Sequence, residues 1–172
     1  MNWKGNKKYF KPVLFFHSML LKTHIVITLF GILVLLNSVS NKVVFAAVAL
    51  IATFIPDIDS RYSSIGKKKI NRILQFFTKH RGITHSFVFL ILVTTGILFF
   101  SSVVALGFFL GYGLHLFADS FTKDGIKVFY PFFPKAKSSG RVSTGGKAEI
   151  IIFVVFLIFD LVILFGKISR FF

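Results

Sequence analysis

The stretch VVALGFFLGYGLHLFADSFTKDG, residues 103–125, decides the fold of this protein. It begins as a long apolar run, close to the roughly 20 residues that an α-helix needs to cross a bilayer. Near the end of the run come His115 and Asp119, followed by a polar turn. Side chains at i and i+4 leave the same face of a helix, with Cβ atoms about 5–6 Å apart. The stretch therefore predicts a membrane helix that carries two candidate metal ligands near one end.

The rest of the chain repeats this apolar character. Of its 172 residues, 55% are hydrophobic and 25 are phenylalanine, and its mean hydropathy is +0.78. A soluble domain of this length has too small an interior for so much apolar surface, so lipid must cover part of it. We predict a single all-α domain over residues 1–172, a multi-pass membrane bundle of about five transmembrane or membrane-embedded helices. The predicted segments are Ser18–Asn37, Val43–Pro56, Ser86–Phe100, Val103–Phe121 and Glu149–Gly166.

The charge distribution predicts how the bundle is oriented. Lys and Arg number 21 against 6 Asp and Glu, for a net charge of +15. The basic residues are concentrated in the N-terminal tail and in loops 57–84 and 121–147, whereas the connections at 38–42 and 101–102 hold only Lys42. By the positive-inside rule, the N-terminus and both long loops face the cytoplasm from the inner (plasma) membrane. The excess of basic residues therefore indicates the orientation of the protein in the membrane, and no nucleic-acid partner is expected.

Histidines and carboxylates gather at the predicted cytoplasmic helix ends. The chain has five histidines, six acidic residues and no cysteine, which excludes thiolate metal sites. All the histidines and acids except His17 and Asp160 fall beside these ends, so two separate signals indicate one membrane face. The predicted metal ligands are His24, Asp57, Asp59, His80, His85, His115, Asp119 and Glu149.

Imidazole and carboxylate together suit zinc, manganese or iron. A catalytic zinc takes about three protein ligands and keeps an open position. The larger ligand set here predicts two or more divalent ions, with zinc preferred, which together can clamp a phosphoryl group. For the pair at His115 and Asp119 alone, a side-chain hydrogen bond is the simpler alternative.

Three residues are predicted to act in catalysis. Asp57 and Asp59 follow Pro56, which ends a helix, and either carboxylate can serve as general base if it does not bind metal. Arg81 lies between two candidate ligands, where its guanidinium can hold phosphate oxygens in a bidentate manner. The alternative role of Arg81 is an ion pair with one of the two carboxylates.

At these residues the sequence resembles a known family. PDID at 56–59, HRGITHS at 80–86 and GYGLHLFADSFTKDGIKVFYPF at 111–132, with TH at 23–24, look like the YdjM-type membrane-bound metal-dependent hydrolases. The resemblance covers nearly the whole chain. That family is similar to zinc phospholipase C and P1-type nucleases, helical proteins that bind a zinc cluster through His, Asp and Glu. The positions that match such ligands are His24, Asp57, His80 or His85, His115, Asp119 and Glu149.

The expected function is metal-dependent hydrolysis of a phosphoester in a lipid or lipid-linked substrate, with metal-bound water as nucleophile. Membrane lipid and this substrate are the expected partners. One alternative resembles the metal-independent lipid phosphatases with a histidine nucleophile, but the sequence has no PSGH-like segment. The other alternative is a divalent-cation transporter or sensor, which needs polar groups deep in the membrane. Among the candidates only Asp160 lies deep within a segment.

Overall fold

The computed structural model describes residues 17–59 and 83–169, with side chains described over 21–57 and 83–169. Within these ranges the fold is all-helical, and the only β-type pairing is an isolated bridge between Thr122 and Val142. Each predicted segment overlaps one helix, so the all-α prediction is confirmed. The helices are α1 (His17–Leu35), α2 (Lys42–Phe54), α3 (Phe87–Leu98), α4 (Ser102–Ser120) and α5 (Lys147–Ile168), and short 3₁₀ turns follow α1 (Leu36–Ser38) and α2 (Ile55–Asp59).

Three of the described helices are long and apolar enough to cross a membrane: Leu21–Ser38, Ser102–Ser120 and Lys147–Ile168. Helices α2 and α3 have 13 and 12 residues. At 1.5 Å per residue they reach only about 18–20 Å, which is less than the ~30 Å hydrocarbon core. Both pack against the longer helix Ser102–Ser120. Most of α5 exposes apolar side chains, but Asp160 is only 7% exposed and faces the bundle interior.

Helices α2 and α4 touch backbone to backbone at two glycines of α4. A Cβ atom on Gly111 would lie 1.9 Å from the carbonyl oxygen of Ala49, and one on Gly107 would lie 2.8 Å from that of Phe45. Small residues four positions apart allow such close approach between membrane helices. The next two residues at this spacing along α4 are its candidate metal ligands. The contact therefore brings the end of α2 to those ligands.

The connection before α3 is attached to the rest of the bundle. Ser86 caps α3 by accepting a hydrogen bond from the amide of Phe89 at 3.2 Å, and the Tyr112 hydroxyl of α4 donates to the carbonyl of Thr84. The amide of Phe87 donates to the carbonyl of Val128 in the loop after α4. A buried apolar cluster lies behind these contacts: Ala52, Leu90, Phe108, Tyr112, Leu116 and Ile126.

Successive helices run in opposite directions, so alternate helix ends meet at one end of the bundle. The start of α1, the end of α2, the start of α3, the end of α4 and the start of α5 all meet there. The hydrogen bond from Thr23 of α1 to Glu149 of α5 shows this directly. The turns at 36–41 and 99–101 lie at the other end.

Candidate metal centre

Four ligand atoms from three parts of the chain form a ring at the shared helix ends. Asp57 Oδ1 lies 3.8 Å from His85 Nε2 and 3.9 Å from His115 Nε2. Asp119 Oδ2 lies 3.8 Å from the same nitrogen of His85 and 3.6 Å from that of His115. Two ligands of a tetrahedral zinc with bonds of 2.0–2.1 Å are about 3.4 Å apart. The distances between neighbouring atoms of the ring are slightly longer than this. The ligand atoms of Asp57, His85 and His115 all lie within 4.8 Å of one another, as do those of His24, His115 and Asp119.

A fifth residue, His24, approaches the second oxygen of Asp119. His24 Nε2 lies 3.3 Å from Asp119 Oδ1, and its ring stacks on that of His115 with centroids 4.1 Å apart and planes inclined by 16°. The two oxygens of Asp119 therefore face different histidines. A carboxylate in this position can bridge two cations.

The cluster is buried, and many of its polar atoms lack a hydrogen-bond partner. His24, His85, His115 and Asp119 are at most 3% exposed. Both ring nitrogens of His24 and of His115, Nε2 of His85 and Oδ1 of Asp119 make no hydrogen bond. Buried polar atoms are almost always hydrogen-bonded, so such a group of exceptions requires another partner. Divalent cations fit this donor set of imidazoles and carboxylates.

The two candidate ligands of α4 lie close together on one face of the helix. The 3.6 Å between His115 Nε2 and Asp119 Oδ2 is longer than an ordinary N–H···O bond. Metal ligation by this pair therefore stays a prediction, with the side-chain hydrogen bond as its alternative.

Asp57 is the most exposed of the five side chains, at 24%. Burial raises the pKa of Asp57, but its contact with His85 and the nearby charge of His115 outweigh this and hold the pKa below its ordinary value. The carboxyl group is therefore ionised at neutral pH, which suits both a metal ligand and a base. Its partial exposure makes it the ligand closest to solvent.

A neighbouring hydroxyl orients His85. The Oγ1 atom of Thr84 lies 3.4 Å from His85 Nδ1, which leaves Nε2 directed at the cluster. Metal-binding histidines typically use their second nitrogen in this way.

Glu149 lies outside the five-residue cluster. It is buried, with Oε1 accepting a hydrogen bond from the Thr23 hydroxyl at 3.0 Å and Oε2 accepting one from the Gly145 amide at 2.5 Å. These contacts cap α5 and attach it to α1, and its role as a ligand stays a prediction. Three other predicted residues fall outside the described part: the side chain of Asp59, and His80 and Arg81 entirely.

Sequence reasoning did not identify the residues that support the ligands. The two glycines that admit α2, Gly107 and Gly111, stand at the same spacing as the α4 ligands. The four-residue spacing of positions 107, 111, 115 and 119 was the feature of the sequence that could have indicated this packing. The role of Thr84 depends on a contact in three dimensions and had no comparable signal.

Comparison with known proteins gives the family of this chain. A family model described as YdjM inner membrane protein matches residues 19–170, a range that contains every predicted site residue. The uncharacterized protein YvsG of Bacillus subtilis (strain 168) is 27% identical over 113 residues, which cover 63% of this chain and 71% of that protein. No solved structure matches. Because this family model matches most of its length, the chain belongs to the YdjM inner membrane protein family.

Proposed function

We propose that this protein is a membrane-bound metal-dependent hydrolase that cleaves a phosphoester at the cytoplasmic face of the membrane. The observation that carries the proposal is the ring of Asp57, His85, His115 and Asp119 atoms at 3.6–3.9 Å. A buried ring of this kind, with no other partners for most of its nitrogens, is expected to hold a divalent ion.

A second ion is expected on the other side of Asp119. Its Oδ1 faces His24, while its Oδ2 faces the ring. His24 and Asp119 would hold this ion, and two ions together would clamp the phosphoryl group. Asp59 and His80 remain candidates for completing this half of the centre. Zinc is the expected metal, with manganese or iron as alternatives.

A bound ion of this type supplies a Lewis acid and an acidified water for attack on phosphorus. The surrounding residues then have separate roles. His85, His115 and Asp119 hold the ligand positions in a dry environment. Asp59, or Asp57 if it does not bind metal, is proposed as the general base. Arg81 is proposed to hold the phosphoryl oxygens and offset their developing charge.

The test is hydrolysis of a panel of phosphoesters by detergent-purified protein, with metal content measured on the same samples. We expect about two divalent ions per chain and activity that a chelator removes and zinc or manganese restores. The variant with both His115→Ala and Asp119→Ala should insert in the membrane but lose metal and activity together. Arg81→Lys should keep its metal and lose turnover, because lysine lacks the bidentate fork.

Two results would contradict the proposal. Unchanged metal content in the double variant would mean that the α4 pair does not ligate. Chelator-resistant activity with a trapped phosphohistidine would favour the lipid phosphatase alternative.

The cation transporter remains the other candidate, and Asp160 is the observation that favours it. Both carboxyl oxygens of Asp160 are buried without a hydrogen-bond partner. It lies eleven residues from Glu149, about 16 Å along α5 and therefore deep in the bundle. Metal flux into vesicles that Asp160→Asn abolishes, without hydrolysis of any phosphoester, would support the transporter.

A further inference from the structure

An apolar groove of about 530 Å³ runs between α1, α4 and α5. Its wall includes Ile27 and Val34 of α1, Leu110 and Leu114 of α4 and Ile152 of α5. On α1 the lining extends from Thr23 to Leu35, twelve residues or about 18 Å. The groove therefore follows the long axis of the bundle over a large part of the bilayer.

The few polar groups of this groove all lie at the end where the metal ligands are. Thr23, Thr122 and Glu149 line that end, whereas the lining residues toward the end of α1, Gly31, Val34 and Leu35, are apolar. Thr23 directly precedes His24, and the lining residue Ala118 directly precedes Asp119. Two of the lining residues are thus the immediate neighbours in sequence of two candidate ligands.

Three exposed lysines are close in sequence to the polar residues of the lining. Lys22, Lys123 and Lys147 are all exposed, and each is within two residues of a polar residue of the lining. Lysines at a membrane interface attract anionic headgroups. The groove therefore combines an apolar channel with a cationic rim, beside a candidate metal centre.

We propose that this groove holds the acyl chain of a phosphate-bearing, anionic lipid, whose headgroup lies at the lysine rim beside the candidate metal centre. The proposal deepens the proposed function, on which it rests, by naming an anionic lipid as the substrate class. Bilayer lipid tails are as apolar as the groove, so the chain gains little free energy by entering it. The groove instead sets the position of the headgroup, while the lysines favour its charge.

The experiment is photolabelling in phosphatidylcholine vesicles, with a phosphatidic acid probe that carries a diazirine at the end of one acyl chain. Protein stripped with chelator is used, so that the result does not depend on hydrolysis. We expect labelling of α1 and α4 around Val34 and Leu110, and competition by unlabelled phosphatidic acid. A phosphatidylcholine probe with the same chain should label these positions less.

Matched variants separate the groove from the general lipid surface. Ile152→Trp places a large ring in the groove and should remove most of the competed labelling. Ile151→Trp makes the same change at the neighbouring position, which is 62% exposed and outside the lining, and should leave labelling unchanged. Val34→Trp blocks the far end and should reduce labelling by long-chain probes but not by short-chain ones.

Three outcomes would overturn the proposal. Labelling that no anionic lipid competes with, or that equals labelling of the outer face of α3 at Ile91 and Leu92, would mean contact with bulk bilayer lipid. Cross-links between two copies of the chain through the groove would make it a subunit interface. Equal effects of the two tryptophan variants at 151 and 152 would exclude a specific groove.

The result is separable from that of the hydrolase test. If competed labelling persists but no phosphoester is cleaved, the lipid site stands and the proposed reaction fails. If a soluble phosphoester is cleaved without competed labelling, the reaction stands and the lipid site fails.

Discussion

At the scale of single residues, Asp119 lies at the centre of the candidate metal site. Its two oxygens face three histidines from three parts of the chain: His24, His85 and His115. A carboxylate that is almost fully buried needs such partners, because burying an uncompensated charge is costly. The arrangement explains why one short helical motif can organise a centre built from distant segments.

The contact between Thr84 and His85 gives a test of ligand orientation. Thr84→Val removes the hydroxyl that lies 3.4 Å from His85 Nδ1. Loss of such an outer contact typically weakens metal affinity about 10- to 100-fold, and we expect the lower end because the contact is long. Thr84→Ser keeps a hydroxyl and should bind metal as the natural protein does. Metal titration of both variants measures the difference, and equal affinities would show that the hydroxyl does not orient the ring.

Glu149 provides a second test at this scale. Both of its oxygens already accept hydrogen bonds, from Thr23 and from Gly145. We therefore expect Glu149→Gln to retain its metal, measured by elemental analysis, while its thermal stability falls slightly because a buried charge-assisted hydrogen bond is weakened. A clear loss of metal in this variant would instead make Glu149 a ligand, as the sequence predicts.

At the scale of elements, one stripe of α4 serves two purposes. Gly107 and Gly111 admit the backbone of α2, and the next two positions of the stripe carry His115 and Asp119. Because α2 lies so close, the turn that follows it can bring Asp57 within 3.9 Å of His115. Helix packing and ligand geometry are therefore coupled.

Substitution of Gly111 tests this coupling. In Gly111→Ala the new Cβ would meet the Ala49 carbonyl oxygen at 1.9 Å, so α2 must move. Overpacking typically costs about 1–3 kcal/mol, and a clash with backbone is expected to reach at least the upper end. The matched control is Gly113→Ala, whose Cβ meets only Leu90 at an ordinary 3.4 Å. We expect the first variant to lose metal and thermal stability and the second to keep both. Normal metal binding by Gly111→Ala would show that the close packing of α2 on α4 is not needed for the metal site.

At the scale of the whole molecule, antiparallel helices bring every described ligand to one end of the bundle. The loop between α4 and α5 leaves from that end, and the turn between α1 and α2 lies at the other. The chain has no cysteine, so single cysteines can report the sidedness of each end. We expect Lys135→Cys to react with an impermeant maleimide only from the cytoplasm, and Ser40→Cys only from outside. Reaction of both from the same side would be incompatible with a bundle that crosses the membrane.

The sequence alone determined the helical membrane class, the approximate helix ranges and the gathering of the candidate ligands at one end of the bundle. These properties follow from local hydrophobicity and from charge counts, which depend little on neighbours in space. His24, Asp57, His85, His115 and Asp119 were all among its predicted ligands.

Tertiary structure decided how those ligands are combined. Only the packing of α1 against α5 shows that the oxygens of Glu149 accept hydrogen bonds from Thr23 and Gly145, and only the backbone contact at Gly111 explains how Asp57 reaches His115. The apolar groove beside the centre is likewise formed by three helices together. Distances between helices depend on side-chain volumes that meet across the bundle, and no pattern along a single segment contains that information.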